Sequence, residues 1–310
     1  MTTHPSPYLL QSLRSVEIEL PDVAAAEAFF TDTWHLAVAA RAGDTVYLRG
    51  TGADHHLISL APAATPALRA ITFRAASTDA LDELARRAVA NGGTLLSARA
   101  PVHEPGGGQA VTVRDPQGRV LRFVAGDARH ADTADQSDRP SRLAHAVLNS
   151  HDVAAAQPFY EALGLRLSDR TRIMAFIRIP QPGPGDHHSI ALADADNDCL
   201  NHIAFVMPDV DSVMRGGGRM RDAGHPIEWG PGRHGPGDNA FNYFIGPAGV
   251  VIEYTAEVEQ IDDSYEVGGP TDWTWPPGRI DHWGISAPPT ARLKEAQRRI
   301  GFITSTENAS

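Results

Sequence analysis

Apolar and polar positions alternate over 15–20 (SVEIEL), as in a strand with one buried face. The period then lengthens. Asp22 can cap a helix over 23–34 whose core face would carry Val23, Ala26, Phe29 and Phe30. Strand-like runs follow at 46–48, 57–60 and 68–73. A second helix is predicted over 78–90, capped by Ser77 and stopped by Asn91, Gly92 and Gly93. Two further strands, near 110–113 and at 120–124, flank a turn at 115–118. The stretch 126–142 (GDARHADTADQSDRPSR) is polar and aperiodic and reads as a linker.

The pattern then starts again. HDVAAAQPFYEALGL at 151–165 echoes PDVAAAEAFFTDTWHL at 21–36, and GDHHSIAL at 185–192 echoes ADHHLISL at 53–60. GPAGVVIEY at 246–254 echoes DPQGRVLRF at 115–123, and corresponding positions stay 130 to 132 residues apart. So constant an offset marks a duplication. Each copy orders its elements as two βαβββ-type units, which predicts an α+β fold. The expected organisation is an N-terminal module at 1–125, the linker at 126–142, a second module at 143–256 and a tail at 257–310. The tail holds Trp273, Trp275 and Trp283 and a possible short helix over 290–299, so it is either a clasp completing the core or a lid over a site.

Composition narrows the class. Hydrophobic residues make up 42% and charged residues 21%, the balance of a water-soluble globular chain. No apolar run nears the roughly 18 residues of a membrane span, and MTTHPSPYLL lacks the order of a signal peptide. A net charge of −11 argues against a nucleic-acid partner. The single cysteine, Cys199, fits a reducing compartment and a cytoplasmic location.

The duplication also acts as an internal control on the chemistry. A residue type found in both copies answers to the fold, and one found in a single copy is a better candidate for function. His145 corresponds to Ser15, His202 to Ala70 and Glu253 to Arg122, so two histidines and a carboxylate disappear together from the first copy. Singly each would be a satisfied strand residue. Together they are the ligand set of the facial triad that holds non-haem iron(II), with manganese open on ligand type alone. His56 matches His188 and His103 matches His234, so those two histidines fail the control, whereas Tyr243, opposite Thr112, passes it.

With these residues in place, the second copy resembles the catalytic module of type I extradiol (catechol meta-cleavage) dioxygenases of the vicinal oxygen chelate superfamily. The likeness covers about 15–255 and is most specific in GPGRHGPGDNAF…IEY, where it is similar to homoprotocatechuate 2,3-dioxygenases. It implies two tandem vicinal-oxygen-chelate modules, each a curved mixed sheet around a central pocket. It further implies a metal-free first module, His145, His202 and Glu253 as ligands of Fe(II) or Mn(II), and a catechol-type substrate cleaved with dioxygen by a homo-oligomeric enzyme. Catalytic roles fall on His188 as acid–base, on His234 and on Tyr243, with His187 as the competitor of His188, since adjacent strand residues face opposite ways. Substrate contacts fall on Trp229, Asn239 and Arg279. Trp229 stands where that family has a carboxylate-binding arginine, which points to a less acidic diol, with room for a larger one. Two alternatives remain: a metal-dependent glyoxalase-type isomerase or resistance enzyme of the same superfamily, and a metal-free small-molecule binding module.

Overall fold

The computed structural model describes residues 8–303, and the statements below refer to these; the start of the expected first module and the far end of the expected tail lie outside them. The first module runs β1 (Leu10–Leu20), α1 (Val23–Ala28), β2 (Ala37–Ala42), β3 (Thr45–Arg49) and β4 (Ile58–Pro62). It continues with β5 (Ala67–Ala75), α2 (Thr78–Ala90), β6 (Thr94–Pro101), β7 (Gln109–Arg114) and β8 (Val120–Ala125). The second module repeats this as β9 (Arg142–Ser150), α3 (Val153–Ala162), β10 (Arg166–Arg170), β11 (Met174–Arg178), the short β12 (Gly185–Asp186) and β13 (Ile190–Asp194). Its second unit is β14 (Leu200–Val206), α4 (Val210–Asp222), β15 (Trp229–Arg233), β16 (Ala240–Ile245) and β17 (Val251–Ala256).

The two sheets have matching strand orders, β2-β3-β4-β1-β5-β8-β7-β6 and β10-β11-β13-β9-β14-β17-β16-β15. Registers match as well. Val16 lies opposite Ile58 as Ala146 lies opposite Ile190, and Thr112 opposite Arg122 as Tyr243 opposite Glu253. This is the α+β arrangement expected from the repeat.

Local chemistry sets the element ends. The Ser77 hydroxyl accepts from the Ala80 amide at the start of α2, and Gly92, at φ 87°, turns the chain away after it. Leu81, Leu84 and Ala88 then bury one stripe of the helix. In α4 the glycines are a packing device, because a methyl added at Gly216 would lie 2.7 Å from the Tyr254 ring. A similar methyl at Gly218 would meet nothing within 4 Å.

The modules share one core. Trp34 of the first stacks on Tyr254 of the second, ring centroids 3.6 Å apart, and meets Phe205 and Phe244 edge-on. The Tyr254 hydroxyl donates to the Trp34 carbonyl at 2.9 Å. The connecting segment is held rather than free: Asp127 accepts from Arg74 at 2.7 Å and Arg14 at 3.3 Å, with its side chain almost fully buried.

After β17 the chain forms β18 (Gln260–Ile261), which pairs with β12, then α5 (Ala291–Ala296) and β19 (Gly301–Phe302). β19 returns to the first module and pairs with β5. The tail is therefore a clasp. It also walls a cavity, described below.

Four expectations change in detail. Helix 23–34 is α1 followed by a π-type turn at Phe29–Thr33. β2 and β6 were not legible, because both are largely exposed and lack an apolar face. Arg142 begins β9 rather than ending the linker. Trp283 does not pack back into the body but stays 39% exposed, under the Arg233 guanidinium.

Candidate metal centre

Three neighbouring central strands carry the cluster. Ala204 of β14 is in register with His145 of β9 on one side and Glu253 of β17 on the other. His202, two residues before Ala204, shares its face, because side chains along a strand alternate. All three side chains therefore converge on one concave face, and their ligand atoms lie within 4.8 Å of one another. His145 Nε2 and His202 Nε2 are each 3.2 Å from Glu253 Oε2 and 3.3 Å apart, at side chains 6% exposed or less. Lone-pair-bearing atoms this close in a buried setting need protons or a cation between them. Two imidazoles and one carboxylate suit a first-row divalent metal.

Their neighbours prepare them. The His202 Nδ1–H donates to Asn201 Oδ1 at 2.8 Å, which leaves Nε2 as a lone pair facing the cluster. The Asn201 amide donates to Asn149 Oδ1 at 2.8 Å, and the Asn149 amide to the Gln297 carbonyl at 2.9 Å, at the end of α5. Burial alone would raise the Glu253 carboxyl, but the imidazoles of His145, His202 and His234 gathered around it hold it well below the usual carboxylate range. Burial pushes the His202 imidazole down to about 4 against the opposing pull of Glu253.

His188, not His187, faces the cluster, its ring 4.3 Å from that of His145. His187 turns away and donates from Nε2 to the fully buried Asp169 at 2.7 Å, a carboxylate that also accepts from the Tyr265 hydroxyl and the Gly268 amide. The Nδ1 atoms of the two histidines are 3.1 Å apart. With Nε2–H of His187 given to Asp169, its Nδ1 accepts from His188, whose own Nε2 is left as a free acceptor. Burial, then the neighbouring His145 and His187 imidazoles, holds His188 well below its ordinary value, so it is neutral at neutral pH.

On the other side, His234 Nε2 and the Tyr243 hydroxyl are 3.0 Å apart, and that hydroxyl is 3.4 Å from His202 Nε2. Burial and then Glu253 push the Tyr243 phenol well above its usual value, so it remains a donor. Trp229 packs on Phe241, Tyr243 and His234 at centroid distances of 4.5, 4.9 and 5.2 Å.

The cluster opens on a cavity of about 750 Å³ lined by His145, His188, His202, His234, Tyr243 and Trp229, with Arg279 and the tail residues Trp273 and Trp275 further out. Asn239 is not among the lining residues. It is fully buried and its amide donates to Thr255 Oγ1 at 2.7 Å and to Glu253 Oε1 at 3.5 Å, so it orients the carboxylate. Sequence reading passed over Asn149, Asn201 and Asp169. Nothing marks them locally, and their roles appear only once three strands and the tail are brought together.

In the first module, Arg122 occupies the position of Glu253, is ion-paired with Glu17 at 2.7 Å and donates to Glu104 at 2.9 Å. His56 accepts from Arg14 at 2.7 Å, whereas His103 is exposed.

A family model described as "Glyoxalase/Bleomycin resistance protein/Dioxygenase superfamily" matches residues 13–123 and 142–254. Metapyrocatechase 2 of Cupriavidus necator is 34% identical over 192 residues, 59% of this chain. That match spans only 51% of the relative's own length. A manganese-dependent 2,3-dihydroxybiphenyl 1,2-dioxygenase of Geobacillus genomosp. 3 is 25% identical over 248 residues, covering 73% of this chain and 78% of that protein. Among solved structures, the Mn(II)-bound glyoxalase from Novosphingobium aromaticivorans superposes with a TM-score of 0.84 at 32% identity, covering 92% of this chain and 94% of that one.

Proposed function

Because the chain belongs to the glyoxalase/bleomycin resistance protein/dioxygenase superfamily, we propose that it is an extradiol dioxygenase that opens an aromatic 1,2-diol beside the diol, with both atoms of dioxygen entering the product. The observation that carries this reading is a two-histidine, one-carboxylate cluster at the floor of a cavity, ringed by a neutral histidine, a second histidine and a phenol. The names of two curated relatives support it.

His145, His202 and Glu253 would hold iron(II) or manganese(II). The bound ion would supply a chelation site for the diol and a path for electrons between diol and dioxygen. Everything else falls to the chain. His188 presents a free Nε2 and takes a diol proton, returning it later in the reaction. Tyr243 donates to a substrate oxygen and fixes the ring's orientation. His234, paired with Tyr243, stabilises charge that develops on the other oxygen. Trp229 gives the ring a flat apolar wall, and Arg279 at the mouth meets polar substituents. The small-molecule diol and dioxygen are the partners. No helix of the described residues is long and apolar enough to cross a membrane, and we place the protein in the cytoplasm as a homo-oligomer.

The test is to load the protein with iron(II) or manganese(II) without oxygen, add catechols one by one, and admit air. A yellow ring-fission product with one dioxygen consumed per diol is the expected result. No yellow product from any diol despite bound metal would sink the reading.

A second reading, a glyoxalase-type isomerase, is favoured by the name of the solved neighbour. Turnover of a hemithioacetal without dioxygen would establish it. Against it, the first module offers Ser15, Ala70 and Arg122 at the ligand positions and contributes no metal cluster among the described residues.

A further inference from the structure

Lys294 is the sole lysine among the 27 lysine and arginine residues of the chain, and it lines the cavity. It sits on α5, whose buried side, Leu293 and Ala296, packs on Phe241, Tyr243 and Val251. Lys294 and, just past the end of α5, Gln297 and Arg298 all line the cavity. The turn between β10 and β11 adds Arg172 to the lining of the same cavity. Arg298 is paired with Asp196, but Lys294 and Arg172 have no ion pair among the described residues. Asp194 is the one carboxylate in the cavity wall. A protein of net charge −11 thus surrounds this opening with uncompensated cations.

Volume points the same way. A cavity of about 750 Å³ lies in the range of pockets that hold drug-sized ligands rather than single rings. Resting on the dioxygenase reading, we infer that Lys294 and Arg172 form a distal anion subsite. The substrate class is then an aromatic diol whose second ring or side chain ends in a carboxylate. The inner cavity takes the diol between Trp229 and the metal cluster, Trp273 and Trp275 cover the apolar span, and the carboxylate reaches the mouth. An ammonium on a flexible stem accepts anions at varied angles, whereas a guanidinium fork demands one plane. Cations at an open mouth also draw the anion in.

A single lysine makes the test direct. Metal-loaded protein held without dioxygen is treated with an amine-reactive reagent, and labelling of Lys294 is read by peptide mass mapping. The probes are a dihydroxybiphenyl bearing a carboxylate on its distal ring and the methyl ester of the same compound. The acid is expected to protect Lys294 about tenfold better than the ester, and Lys294→Met to lower the acid-to-ester ratio of kcat/KM about tenfold, the worth of one charge-assisted contact. Protection by the acid without cleavage of any diol would uphold the subsite and sink the ring-cleavage reading. Cleavage of both compounds with no preference for the acid would overturn the subsite alone. Neither protection nor cleavage would overturn both.

Discussion

Glu253 is fully buried, charged, and within 3.2 Å of two imidazoles. Its place in the cluster was readable from the repeat, because His145, His202 and Glu253 disappear together from the first copy. Glu253→Gln is expected to abolish stoichiometric metal uptake while leaving the far-ultraviolet circular dichroism unchanged; full occupancy by metal analysis would refute its role. Asn201 was not readable, being one asparagine of several in polar surroundings. Since its side chain fixes the tautomer of His202, Asn201→Ala should weaken metal affinity about 10- to 100-fold, as is usual when a ligand's hydrogen-bond partner is removed. A chelator competition titration that finds no change would place His202 under some other control.

Among the elements, α4 shows how sequence propensity and packing separate. Three adjacent glycines in mid-helix argue against a helix on propensity, yet α4 spans 13 residues. Gly216 and Gly217 are required because the Tyr254 ring and the Asn242 amide press against the backbone there. Gly218 faces open space. Gly218→Ala should therefore stabilise the protein by about 0.5–1 kcal/mol in a denaturant titration, and Gly216→Ala should destabilise it. Equal effects of the two would mean that Tyr254 can move aside. The edge strands β2 and β6 escaped the sequence for a related reason: an exposed strand has no apolar stripe to declare it, and only its hydrogen-bonded neighbour does.

For the molecule as a whole, the repeat made the strand orders legible, while the union of the two modules through Trp34, Tyr254 and β19 was not, since no local pattern encodes a contact 220 residues away. That shared core predicts one cooperative unfolding transition. Trp34→Ala should cost about 3–5 kcal/mol without splitting it; two resolved transitions would show independent halves. Acid sensitivity is also a property of the whole fold. Burial first, then Arg14 and His55, depresses His56 well below its ordinary value, so the folded state refuses a proton that the unfolded chain accepts. Stability should then fall as pH drops below about 6.5, by up to about 1.4 kcal/mol per pH unit for this one proton. His56→Gln should flatten that slope in urea titrations between pH 5 and 6.5, and an unchanged slope would assign it to other groups. Arg122 has a last consequence. At the point where, on the proposed reading, the second sheet would take up an ion, the first carries a permanent cation as part of its own chain, already neutralised by Glu17 and Glu104. On that reading only the second module draws on a supply of metal. In a cell short of iron and manganese the first module would remain a finished scaffold, on which the empty one waits to be filled.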